Sequence, residues 1–147
     1  MPRLTVVVVD DAPDYREIVR LLLRRLPDMV TMVAEAEHGE EGLAVVLRER
    51  PDMVITDLVM PRLDGVELTR RIRQELPQTT IILMSSHTED AYRLLASDSG
   101  ADAFVNKGVI FEALVPAIRD LIGRRLSGGS GPLPPSIGTS ASAASPK

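Results

Sequence analysis

The sequence predicts an α/β domain built on a doubly wound parallel sheet of five strands, each followed by a helix. Two observations lead there. Short apolar runs alternate with longer amphipathic stretches along residues 4–126, and strict alternation with helix-length crossovers makes a parallel sheet covered by helices on both faces. Polar residues also stand just beyond the apolar runs, at Asp10, Asp11, Asp57, Ser85 and Lys107. In such a sheet the carboxyl ends of the strands are where ligands bind.

Leu4–Val9 is nearly all apolar and β-branched, the pattern of a strand buried on both faces. Pro13 suits the first turn of a helix. Tyr15, Ile18, Val19, Leu22 and Leu26 then recur at helical spacing, and Arg16, Arg20, Arg24 and Arg25 read as its solvated face. Pro27 and Asp28 break that pattern. Val30–Ala34 is a second strand. Gly39–Arg50 is a helix with Leu43, Val46 and Leu47 inward, stopped before Pro51. Met53–Thr56 is a third strand, and Pro61, Asp64 and Gly65 supply loop and helix-start chemistry. Val66–Leu76 is helical, with Leu68 and Ile72 one turn apart. Thr80–Met84 is a fourth strand. Thr88–Ser99 reads as a helix with Ala91, Leu94 and Leu95 inward and Gly100 as its stop. Ala103–Val105 is a short fifth strand, followed by a helix from Val109 to Leu126 that carries Leu114, Val115, Ile118, Leu121 and Ile122 on one face. Right-handed crossovers leave few topologies for this order. The simplest is a flavodoxin-like sheet of order 2-1-3-4-5.

Composition narrows the function. The chain has 147 residues, 44% of them apolar, enough for one continuous core. Its formal charge of −4 argues against direct nucleic-acid binding, which favours a basic surface. No cysteine means no disulfide framework and no cysteine-based zinc site. His38 and His87 are too few for a histidine cluster. No run reaches the length of a membrane span, and no basic segment precedes a cleavable apolar one, so a cytoplasmic protein without membrane contact is expected. Residues 1–126 read as one domain. Residues 127–147 are Ser, Gly, Pro and Ala with one charge, Lys147; they predict a disordered tail, or equally a linker to an output domain.

The chemistry lies in the residues that the topology gathers. Three carboxylates in one pocket repel one another. A hard divalent cation relieves that repulsion, and Mg2+ characteristically sits among a few carboxylates, waters and a phosphate. Lys107 adds positive charge and Ser85 a hydroxyl. With the metal, they suit the charge on the equatorial oxygens of a transferring phosphoryl group. Asp57 is then the nucleophile, forming an aspartyl phosphate.

The runs VVVVDDAPDYR, ITDLVMPRLDG, IILMSSHTED and GADAFVNKG, in this order and spacing, resemble the receiver domain of two-component response regulators, over Leu4 to about Arg125. The resemblance implies that Asp10 and Asp11 are the acidic pair that holds Mg2+, with Asp11 the more direct ligand. It makes Asp57 the phosphoacceptor and a metal ligand, and gives the metal the backbone carbonyl of Val59. Ser85 stands at the family's Thr/Ser position, Lys107 at its lysine, and Phe104 at the aromatic switch position. Gly108 takes the place where proline is common, so the usual cis Lys–Pro bond is absent. Val59 and His87 flank the path of attacking water. The resemblance further implies a stand-alone receiver, not an enzyme in its own right, that accepts phosphoryl from a histidine kinase or phosphotransfer protein. Its partners are a downstream protein or a second copy, reading the surface of the fourth helix, fifth strand and fifth helix. The phrase GADAF most resembles receivers that precede a helix-turn-helix output.

Plainer readings stand beside these. Asp10 and Asp11 suit the capping of the following helix. Asp57 is compatible with a turn, Lys107 with a solvated surface position, and Phe104 with core filling as well as switching. His87 reads as a loop residue. Among rival functions, an aspartate-nucleophile phosphatase resembling haloacid dehalogenases requires an acid two residues after the nucleophile, where this chain has Val59. A flavodoxin proper requires a Ser/Thr/Gly-rich phosphate loop in place of Asp10 and Asp11. A receiver-like interaction module that is never phosphorylated fits the same sequence, and Mg2+ binding without phosphorylation is its mark.

Overall fold

The computed structural model describes residues 3–87 and 89–127. The strands are β1 (Leu4–Val9), β2 (Val30–Ala36), β3 (Met53–Asp57), β4 (Thr80–Ser85) and β5 (Ala103–Asn106), and the helices are α1 (Pro13–Leu23), α2 (Gly39–Glu49), α3 (Gly65–Glu75), α4 (Asp90–Asp98) and α5 (Ile110–Leu126). The strands form one parallel sheet in the order β2-β1-β3-β4-β5, as the alternation predicts. Apart from Ser127, the predicted tail lies outside the described residues, as does Thr88 at the expected start of the fourth helix.

The two-residue period of the strands splits the core into two layers. Val6, Val8, Ile55, Ile82, Met84 and Val105 meet α1 and α5 through Val19, Leu22, Leu114 and Ile118. Their neighbours Val7, Val9, Val54, Ile81 and Leu83 point the other way, into a layer with Val46 of α2, Leu68 and Ile72 of α3 and Ala96 of α4. This explains why β1, β3 and β4 are apolar without alternation. Each faces helices on both sides.

Most departures from the sequence reading are at element ends. β2 runs on to Ala36, with an irregularity opposite Val6 and Val7. α1 stops at Leu23, yet successive turns carry Leu26 into the core, where it is 2% exposed. A 3₁₀ turn, Lys107–Val109, precedes α5. Two corrections go deeper. In α4, Leu94 and Leu95 are 65% and 48% exposed and Ala91 is also exposed, so they are not the inward face. The helix turns Ala96 to the sheet instead, and Ser99 just beyond it is buried with its Oγ donating to the Ala96 carbonyl. Among the described side chains of this stretch, the buried ones, Ala96 and Ser99, are small, and the leucines face out. The second correction concerns Arg16, which is no part of a solvated face: its side chain is 18% exposed and ion-paired to Glu35.

Register sets the site. Val9 pairs with Thr56, so Asp10 and Asp57 leave their strands side by side. Asp57 pairs with Met84 and Ser85 with Asn106, bringing the ends of β4 and β5 to the same edge. The opposite edge is clamped by polar contacts. Asp52 accepts from the Thr5 N–H at 2.8 Å and pairs with Arg125 at 3.2 Å, while Arg73 pairs with Asp102 at 2.6 Å.

Candidate functional site

Asp10 follows β1 and is fully buried; its Oδ1 accepts from the Ala12 N–H at 2.9 Å, which fixes the turn before α1, whereas the helix itself has no side-chain cap. Its other oxygen faces the site. Asp11 next to it is exposed, and Asp57 ends β3 with 7% exposure. One carboxylate oxygen from each of Asp10, Asp11 and Asp57 lies within 4.8 Å of the others. Lys107, in the 3₁₀ turn after β5, places Nζ 2.8 Å from Asp10 Oδ2 and 3.2 Å from Asp57 Oδ2. It is therefore a buried site residue and not a surface lysine.

Ser85 closes β4 at 1% exposure, and its Oγ accepts from the His87 N–H at 2.9 Å, with His87 Nδ1 at 3.4 Å. Phe104, 5% exposed, packs in the layer shared with α2, α3 and α4, so the core-filling reading holds for it. Val59 lies two residues beyond Asp57 with its side chain 43% exposed. Asp64 caps α3, accepting from the Glu67 N–H at 2.9 Å. Gly65 is required by space, because a Cβ there would stand 2.2 Å from the Asp57 carbonyl oxygen. The start of α3 thus packs directly on the backbone of Asp57. No peptide bond is cis among the described residues, the Lys107–Gly108 bond included.

Burial pushes the Asp57 carboxyl up, with Asp10 and Asp11 adding to it, and the nearby Lys107 only partly offsets this. Burial alone would pull the Lys107 ammonium down, but its bonds and attraction to Asp10 and Asp57 outweigh that and hold it above its ordinary value. Three carboxylates against one ammonium leave −3 + 1 = −2 in a small volume. The buried Asp10 Oδ2 has the Lys107 ammonium as its partner. An all-oxygen set with excess negative charge fits a hard divalent cation.

Two neighbours escaped the sequence reading. The Tyr15 ring lies 4.2 Å from Lys107 Nζ, a cation–π contact. Arg16 donates from Nη1 to the Asp10 carbonyl at 2.6 Å and from Nε to Glu35 at 2.8 Å. Their place in the first turn of α1 is the signal that was available, since helical side chains lean back toward the N-terminus, here toward the end of β1.

The model of the response regulator receiver domain matches residues 6–119. The chain belongs to this family. The receiver's sequence similarity extends to DegU, a transcriptional regulatory protein of Brevibacillus brevis, 30% identical over 80% of this chain and 49% of that one. It also extends to the response regulator MprA of Mycobacterium sp. (strain KMS), 34% identical over 90% of this chain and 56% of that one. Among solved structures, the signal receiver domain of NarL from Mycobacterium tuberculosis superposes with a TM-score of 0.77 at 31% identity, covering 84% of this chain and 98% of that one. The response regulator domain of Thermotoga maritima CheB gives 0.73 at 28% identity, covering 88% of this chain and 99% of that one. The receiver spans about half or less of the length of the curated relatives it matches. Among the described residues, no helix is long and apolar enough to cross a membrane.

Proposed function

We propose that this receiver is a phosphorylation switch of two-component signalling whose phosphoacceptor is Asp57. The observation that carries the reading is the convergence of Asp10, Asp11, Asp57 and Lys107 at one sheet edge, with Lys107 Nζ bridging Asp10 and Asp57. Asp57 Oδ attacks the phosphorus of a phosphohistidine on a kinase or phosphotransfer protein. The new P–O bond forms as the P–N bond breaks, and the imidazole leaves with the electron pair and takes up a proton. Lys107 holds the incoming dianion by charge. Asp10, Asp11, Asp57 and the Val59 carbonyl would hold Mg2+, which when bound supplies further positive charge against the phosphoryl oxygens. Hydrolysis by water returns the carboxylate and inorganic phosphate, so the chain assists its own phosphorylation and dephosphorylation without being an enzyme for another substrate.

The dianion draws the Ser85 hydroxyl away from His87, and Phe104 repacks into the space released. The signal leaves through α4, β5 and α5, read by a downstream protein or by a second copy. In support, α4 exposes Leu94 and Leu95 while Val109 and Phe111 at the start of α5 are 39% and 53% exposed. Exposed apolar side chains mark interaction surfaces where they join into a patch. Residues 1–126 are the unit proposed, acting alone in the cytoplasm without contacting nucleic acid or membrane.

Incubation with acetyl phosphate tests the reading, followed by intact mass. The expected result is one phosphoryl adduct that requires Mg2+ and is lost in Asp57→Asn. Mg2+ binding with no adduct from acetyl phosphate or from a phosphorylated kinase would favour the interaction module instead. Stand-alone action is tested by the size of the native polypeptide in cells: 16.0 kDa supports it, and a product of twice that size makes this the receiver of a longer regulator.

A further inference from the structure

We propose that Arg16 is a positioning residue for the acidic pair, tying the backbone of Asp10 to Glu35 and so fixing where the Asp10 and Asp11 carboxylates stand. The inference rests on the reading of the acidic cluster as a Mg2+ site. Its ground is a bond that helix capping does not explain. Where β1 ends, the Asp10 N–H still pairs with the Ala36 carbonyl of β2, at 3.0 Å. The Asp10 carbonyl instead accepts from Arg16 Nη1 at 2.6 Å. Nε of the same guanidinium donates to Glu35 at 2.8 Å, and Glu35 also pairs with Arg20 one turn further along α1. Glu35 lies on β2, beside β1, and pairs in register with Val8. The guanidinium is thus held on both sides, by α1 that carries it and by the strand next to the one it supports.

The peptide between Asp10 and Asp11 is where this matters. Its carbonyl is the one that Arg16 holds, and its rotation would swing both carboxylates. Asp11 is exposed. Among the described residues no hydrogen bond or ion pair to its side chain is seen, so its direction depends on the backbone. The planar fork of arginine serves two acceptors with fixed geometry, whereas a lysine ammonium is a point charge on a flexible stem. Arginine type matters for that reason, and Glu35 matters because it orients the fork.

Calorimetric Mg2+ titration of the full chain without phosphodonor is the test, on wild type, Arg16→Ala, Arg16→Lys and Glu35→Gln, with thermal melting in chelator on the same samples. The expected result is a metal affinity reduced about 10-fold or more in Arg16→Ala, the scale for partners that orient ligands. Arg16→Lys should recover only part of it, and Glu35→Gln should weaken binding while leaving melting near wild type. A merely structural arginine would lower melting and leave the affinity of the folded fraction unchanged; that result overturns the proposal. If Arg16→Ala fails to fold, Arg16→Lys and Glu35→Gln decide, and wild-type affinity in both overturns it. Absence of Mg2+ binding by wild type would instead overturn the metal reading, and this inference with it.

Discussion

Asp57 is a residue placed against its own stability. Its carboxyl is pushed above the ordinary value of 3.8, first by burial and then by Asp10 and Asp11. A carboxyl raised in the folded state contributes no penalty at pH below its unfolded value, where it is neutral in both states. The penalty grows as pH rises through the folded value. In chelator, Asp57→Asn should therefore match wild type below pH ~4 and exceed it at neutral pH, by about 1 kcal/mol or roughly 2–4 °C in Tm for a domain of this size. Melting curves across that range check it. Lys107 has the opposite sign. Its ammonium is held above 10.5, so its stabilisation is complete below that pH and is lost as pH climbs through the folded value. Lys107→Met should destabilise the neutral protein by about 3 kcal/mol in denaturant titration, because it strands buried carboxylates. Gly65→Ala should cost about 1–3 kcal/mol, since its methyl would press on the Asp57 carbonyl, and it should slow phosphorylation by displacing that strand end.

At the scale of elements, α4 and α5 separate two kinds of apolar residue. Leu114 of α5 is fully buried, and Leu114→Ala should cost about 2–5 kcal/mol. Leu94→Ala and Leu95→Ala should each fall within about 0.5 kcal/mol of wild type in the same denaturant titration, because both side chains are already in water. These leucines also mark where sequence reasoning failed. Apolar residues at helical spacing say that a helix has an apolar side, not what lies against it. The i, i+3 pair Ala96 and Ser99 that meets the fold is small and gives a weak signal. Arg16 failed for a related reason. Arginine on an amphipathic helix is ordinarily solvated, and here Glu35 on β2 and the Asp10 carbonyl, both outside the helix, turn it inward. Element ends shifted by a residue or two wherever capping and turn bonds decide them, as with Arg50, which closes α2 in a left-handed conformation at φ 49°.

For the molecule as a whole, sheet order and the gathering of the acidic site were legible because they follow from one rule. In a doubly wound parallel sheet every strand ends at the same edge. Asp10, Asp57, Ser85 and Lys107 lie far apart in sequence, yet each stands at the end of an apolar run or just beyond it, and the strand registers bring them together. What no local pattern carries is contact across elements at that edge. Tyr15 over Lys107 and Arg16 on the Asp10 carbonyl depend on how α1 leans on the sheet. The common edge is proposed to make Asp57 the phosphoryl acceptor. Its most direct test is borohydride reduction of the acetyl phosphate-treated protein in Mg2+, followed by peptide mapping, which converts an acyl-phosphorylated aspartate to homoserine. Homoserine is expected at position 57, and none when Mg2+ is withheld. Modification at another aspartate of the wild-type protein, with Asp57 untouched, would contradict it.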